Sequence, residues 1–183
     1  MWKSYELPTS ATIDGNGLKI RTDYRTILDI FTALNDPDLT DQEKLFCALD
    51  IFYVDLKQIS DIEEATRLMW LFINGNKEPE QTNSRKIMDW DQDISIIIPP
   101  VNKVLGLDVR GENYLHWWTF LGAYMEIGEC TFNTFVSIRS KKAKGKTLES
   151  WEKELYRDHK KEIEIQEKLD SATIDLMNEI MGR

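Results

Sequence analysis

Residues 114–129 read YLHWWTFLGAYMEIGE, and the pattern of this block decides the fold class. At about 100° per residue, Trp117, Trp118, Phe120, Leu121, Tyr124 and Met125 cover more than half of a helical circumference, while Glu112, His116, Thr119 and Glu126 share the narrow polar side. So broad an apolar arc needs neighbours on several sides, which predicts the central helix of a bundle. Downstream, Phe132, Phe135, Val136 and Ile138 continue at helical spacing into the basic run Arg139–Lys146. Lysines at that end complement the helix dipole.

Working upstream, Ile94, Ile96, Ile97, Ile98, Val101, Val104 and Leu105 permit a helix from about Asp89 to Gly106. Pro99 and Pro100 lie inside it. Proline removes an amide donor and crowds the preceding turn, at about 3 kcal/mol in a helix interior, so a kink or a break into two short helices is expected near Pro99. A buried strand over Ile94–Ile98 is the lesser alternative. Before this segment, Gly75–Arg85 is polar, contains Pro79 and reads as a surface loop.

Three helices are expected nearer the start. Tyr24, Ile27, Leu28, Phe31 and Leu34 recur at helical spacing until Pro37 stops them. Thr40 with Glu43 forms a capping box ahead of Leu45, Phe46, Leu49, Phe52 and Tyr53. Ser60 with Glu63 repeats the device ahead of Ala65, Leu68, Met69, Leu71, Phe72 and Ile73, and Asn74-Gly75 supplies a left-handed stop. Between Ala11 and Arg21, two short alternating runs flank Gly15-Asn16-Gly17, which predicts a β-hairpin that must lean on the helices. From Thr147 a charged helix carries Leu148, Trp151, Leu155, Ile165, Leu169, Ala172 and Leu176 on heptad a and d positions. Asp158 and Glu162 interrupt that seam, so a two-part tail is expected rather than a long coiled coil. The fold class is therefore mainly α: a compact helical bundle with a small N-terminal hairpin, spanning 1–146, and a C-terminal amphipathic helical extension over 147–183.

A chain of 183 residues suffices for one domain with a sizeable core and an extension. The net charge of −9 argues against a general nucleic-acid coat and for partners that are basic or largely apolar. Cys47 and Cys130 lack CxxC spacing or nearby histidines and read as reduced thiols. The start MWKSYELPTS has no apolar run behind its lysine, so neither a signal peptide nor a membrane anchor is expected. The expected location is the cytoplasm where the chain is made.

No constellation of residues assembles into a catalytic centre. Asp89, Asp91 and Asp93 imitate the first ligands of a calcium loop, yet Ile94 stands where glycine is needed and Pro100 where the bidentate acid belongs. Acids at a helix N-terminus are the better reading. His116 has no nucleophile at hand and reads as structural or exposed; His159 lies in a charged helix. Phosphate-cradling, dinucleotide, HExxH and GxSxG motifs do not occur. We expect no enzyme activity, no cofactor and no metal. Arg139, Lys141, Lys142, Lys144 and Lys146 offer a basic patch, to be weighed as a solvated face, a grip on an acidic protein or, less well, a nucleic-acid contact. Exposed Trp2, Trp70 or Trp151 would mark a binding surface, because tryptophan is enriched at interface hot spots.

LPTSATIDGNGLKIRTDYRTIL (7–28), DWDQDISIIIPPVNKVLGLDV (89–109), YLHWWTFLGAYMEIGECTFNTFVSIR (114–139) and WEKELYR (151–157) together resemble the bacteriophage gene-product-fifteen family of long-tailed phages and prophages of Gram-positive bacteria. The resemblance covers most of the chain, and the YLHWWTF block followed by Ser137-Ile138-Arg139 is its most specific element. It implies a protein of the tail module, encoded near the tape measure gene where tail assembly chaperones are commonly encoded, and acting in the bacterial host cytoplasm. The implied partners are the tape measure protein and other tail proteins, with self-association as a further expectation. A structural tail or connector component of the virion is the alternative, and a nucleic-acid binder ranks behind it. The family supplies no catalytic residues to carry over. Arg139, Lys141, Lys142, Lys144, Trp151, Leu155, Ile165, Leu169 and Leu176, on the basic exit and the amphipathic tail, are the expected partner-binding residues.

Overall fold

The computed structural model describes residues 2, 3, 5–78, 85–166 and 168–173. Part of the expected loop Gly75–Arg85 and the tail position Leu176 lie outside the described residues. The structure is mainly α-helical with a two-stranded N-terminal hairpin, as expected. Its contacts divide the chain into two compact units, Met1–Pro79 with Glu167–Arg183, and Glu80–Gln166.

In the first unit, β1 (Ser10–Ile13) and β2 (Asn16–Lys19) pair antiparallel, with Ile13 opposite Asn16. The turn is the two-residue Asp14-Gly15, at φ 50° and 80°, not the expected Gly15-Asn16-Gly17. Two positive φ angles match the right-handed twist of the flanking strands, which is why Asp-Gly closes hairpins so readily. Ala11, Ile13 and Leu18 point into the core; Ile20 then bridges to Tyr53, and Arg21 N donates to Phe52 O at 2.8 Å. α1 (Tyr24–Leu34) starts at Asp23, whose side chain accepts from Arg25 N, and buries Tyr24, Ile27 and Ile30. α2 (Asp41–Phe52) carries the expected capping box: Glu43 N donates to Thr40 Oγ1 at 3.3 Å, and Thr40 N to Glu43 Oε2 at 2.9 Å. At its C-terminus the Arg21 guanidinium donates to the carbonyls of Asp50, Ile51 and Tyr53 at 2.6–2.9 Å, so a cation covers the negative end of the helix.

α3 (Ile62–Ile73) does not begin as expected. Asp61, not Ser60, is its cap and accepts from Glu64 N at 3.0 Å, while Ser60 Oγ donates to Asp14 at the hairpin turn. A carboxylate one residue later satisfies the same free amides, and a distant acceptor takes the hydroxyl. Its end is the expected one, with Gly75 at φ 65°. Ala65, Met69 and Phe72 are buried, as are Leu49 and Phe52 of α2, and the Phe52 and Phe72 rings lie 5.3 Å apart.

The second unit opens with α4 (Trp90–Leu105), one helix that runs through both prolines. Of the kink or break expected near Pro99, the break does not occur. Ile97 and Val101, fully buried on either side of Pro99–Pro100, hold the backbone helical by packing. Ser95, whose carbonyl loses its donor to Pro99, is exposed, where solvent can replace the lost bond. Gly106, left-handed at φ 71°, ends the helix.

α5 (Trp117–Met125) is shorter and narrower than its composition suggests. His116 caps it, accepting from Trp118 N through Nδ1 at 3.0 Å, so the chain before Trp117 is not helical. Only Trp117, Phe120 and Ala123 are buried, whereas Tyr114 and Met125 are exposed. It buries one face only, against Trp90, whose ring lies 5.5 Å from Trp117 and 5.0 Å from Tyr124. α6 (Thr131–Ala143), α7 (Ser150–Asp158) and α8 (Lys160–Ile163) complete the unit. Phe135, Ile138 and Ile163 form a cluster covered by Ile96, Leu148, Leu155 and Tyr156. The chain from 147 to 166 thus folds onto α6 and α4 within this unit. Among the described residues the helix that follows Thr147 is interrupted at His159, between α7 and α8.

Candidate functional site

The expected binding surface begins where α6 leaves the core. Phe132, Phe135, Ile138 and Arg139 share its buried face, and Asp93 shares the buried face of α4 with Ile97 and Val101. Two charges therefore occupy core positions, and they meet. Arg139 Nη1 and Nη2 fork onto Asp93 at 2.6 and 2.8 Å, with side chains only 5% and 1% exposed. The guanidinium also donates to the carbonyls of Ile87, Glu162 and Ile163, and Asp93 accepts Asp89 N at 3.0 Å. A buried charge is tolerable only when paired and hydrogen-bonded, and here both partners are. Arg139 therefore ties α4, α6 and α8 together and is unavailable to a partner.

The neighbouring lysines are engaged too. Lys141 Nζ meets buried Glu152 at 2.6 Å, and Glu152 accepts Glu149 N at 2.8 Å; these bonds hold its carboxyl below the usual range. Lys142 lies 3.7 Å from the centre of the Tyr156 ring and 3.1 Å from Glu164, which also accepts the Tyr156 hydroxyl. The Tyr156 hydroxyl first, and Lys142 second, lower the Glu164 carboxyl. Lys144 is exposed. On the tail, Leu155 is half-buried in the apolar cluster and Ile165 is half-buried. Trp151 is 53% exposed, its indole donating to Glu149 at 2.9 Å, and Leu169 is exposed. The basic exit is largely an internal clamp, and in the same unit Lys144 and Trp151 face outward.

Gln92 completes the clamp. Its amide donates to the carbonyls of Glu162 and Glu164 and accepts from Gln166 N at 2.8–2.9 Å, fixing the chain after α8 to α4. The acids of the DWDQD segment serve helix and ion pair: Asp89 caps α4 through Gln92 N and pairs with Lys86, and Asp93 holds Arg139. Burial opposes ionisation of Asp89, but Lys86 and the amide of Gln92 outweigh it and keep that carboxyl low. Among the described residues no group of His, Cys, Asp and Glu is arranged to hold a metal ion. Nor is any helix there long and apolar enough to cross a membrane.

A second surface, apart from the expected partner-binding residues, lies on the first unit. Leu45 of α2 and Ile62, Glu63, Thr66, Arg67 and Trp70 of α3 line a groove of about 560 Å³. α3 has two apolar stripes: Ala65, Met69 and Phe72 face the core, whereas Ile62, Thr66 and Trp70, four residues apart, form the groove wall. Thr66 Oγ1 donates to Ile62 O at 2.7 Å, so its hydroxyl is committed to the helix. Arg67 is held by Glu64 at 2.7 and 2.8 Å and by Glu78 at 2.9 Å. Ile62 is 49% exposed and Phe46, next to Leu45 in the chain, 60%. The available signal was Trp70 at the spacing Ile62, Thr66, Trp70, out of phase with the core stripe.

An open apolar groove without a converging nucleophile, base or metal ligand can bind but offers no chemistry to perform. Comparison with curated proteins and with solved structures finds no match. The family model described as Bacteriophage Gp15 protein matches residues 4–165. That match takes in the hairpin, every helix named above and the clamp around Arg139, and the chain accordingly belongs to the bacteriophage Gp15 protein family.

Proposed function

We propose that the chain is a non-catalytic tail assembly chaperone that binds the tape measure protein in the host cytoplasm during tail morphogenesis. The observation that carries this reading is the open apolar groove on an acidic, helical phage protein. A long helical client presents apolar stripes until tail-tube subunits enclose it, and a groove between two helices suits such a stripe. The net charge of −9 would keep a client decorated with many copies soluble. Internal pairing of Arg139, Lys141 and Lys142 weighs against a nucleic-acid grip, because phosphate binding needs cations that are free.

Co-expression with tape measure fragments followed by pull-down tests the proposal. Retention of helical fragments is expected, together with absence of the protein from finished virions by mass spectrometry. Retention of no fragment would remove the chaperone reading, and stoichiometric presence in virions would favour a structural tail component.

A further inference from the structure

We infer that the α2–α3 groove is the docking site for an amphipathic helix of another protein that carries lysines or arginines beside its apolar stripe. The inference rests on the reading of this protein as a binder of helical clients and adds the site and the chemistry of the segment it takes.

Shape comes first. Ile62, Thr66 and Trp70 extend along α3 for two turns, about 12 Å at 1.5 Å per residue, with Leu45 on the opposite side. That length accepts two or three side chains spaced i, i+3 or i+4, and i+7, which is how helices are read by grooves. The half-buried Trp70 supplies the rigid aromatic anchor around which such contacts concentrate.

Charge selects the occupant. From Asp41 to Ile73, the span of α2, α3 and their connection, the chain holds seven carboxylates against three cations. Arg67, the cation on the groove, is already held by Glu64 and Glu78. Glu63 lines the groove, and Asp41 begins α2; both are exposed and neither has an ion-pair partner among the described residues. An approaching basic residue therefore meets uncompensated negative charge, and near Trp70 an aromatic face that also attracts cations. An acidic helix would meet the like charge of Glu63 at the same apolar floor.

The test uses the full-length chain and two designed 18-residue amphipathic peptides, one Leu/Lys and one Leu/Glu, titrated by calorimetry. The Leu/Lys peptide is expected to bind, with Ile62→Ser weakening it about tenfold and Glu63→Lys weakening it severalfold while flattening its salt dependence; the Leu/Glu peptide is expected not to bind. Equal binding of both peptides, binding of neither, or indifference to Ile62→Ser with the fold intact by circular dichroism would overturn the inference. So would self-association in sedimentation equilibrium that Ile62→Ser abolishes, since the occupant would then be a second copy. Peptide binding by a Leu176→Glu variant but not by the parent would assign the groove to the chain's own end and equally overturn it. Pull-down of tape measure fragments that Ile62→Ser does not affect would sink the groove alone. Peptide binding without retention of any fragment would sink the chaperone reading alone.

Discussion

The α2–α3 face and the α6–α8 face are both made from amphipathic helices rich in charge, yet they handle it in opposite ways. On α6 to α8 the charges are paired: Arg139 with Asp93, Lys141 with Glu152, Lys142 with Glu164 and the Tyr156 ring. On α2 and α3 the apolar groove is left open, and Glu63 and Asp41 stand without a cation among the described residues. A basic run in the sequence is therefore a poor guide to a basic surface. What counts is whether acids elsewhere in the fold already reach it.

The largest effect is expected of Arg139→Ala. Leaving Asp93 buried without its partner should cost about 3–5 kcal/mol, read as a fall in the urea midpoint, whereas Asp93→Leu with Arg139→Met should restore most of the loss. A loss under about 0.5 kcal/mol, the size expected of a surface residue, would return Arg139 to the surface. Gln92→Ala comes next. It removes three hydrogen bonds to α8 and the chain that follows it, for which about 1–3 kcal/mol is expected, with faster amide exchange over residues 162–166 than elsewhere in the unit.

Acid should loosen the same clamp. The Glu152 and Glu164 carboxyls are lowered in the folded protein, so their stabilisation is complete above the unfolded value of 4.5 and is lost as pH falls through the lower folded values. Melting temperature should be flat from neutral pH to about 5 and then drop, and Lys141→Met with Lys142→Met should shrink that drop. Were the drop unchanged, the lysine pairs would carry no linkage and the contrast with α2–α3 would weaken. The smallest effect is expected at Ile62, where serine should change stability by about 0.5 kcal/mol or less, as at other exposed sites, while altering binding. A large loss of stability there would make the groove part of the core.

Much of the helical framework could be read locally. The Thr40–Glu43 box, the Gly75 and Gly106 stops and the break in the tail all follow from short-range bonding between neighbouring residues. Errors arose where a distant group intervened. Ser60 was drawn to Asp14, leaving Asp61 to cap α3. Packing of Ile97 and Val101 carried α4 through two prolines that local energetics would break. One departure is local: His116 caps α5 by accepting from Trp118 N, two residues on, so the aromatic block gives a short helix. For the candidate site, Arg139 was expected on a binding surface and Asp93 at a helix N-terminus; Asp93 is in phase with Ile97 and Val101, and Arg139 with Phe132 and Phe135, but only packing joined the two.

By itself the sequence determined that the protein is mainly helical, where most helices run, that a hairpin precedes them, and, through the block at 114–139, the family to which it belongs. These properties depend on periodicity, caps and turns, whose interactions span a few residues. Only the tertiary structure decided which charged side chains are free and which apolar stripe is left uncovered. Those depend on which helix faces meet, and Arg139 meets Asp93 across 46 positions of chain.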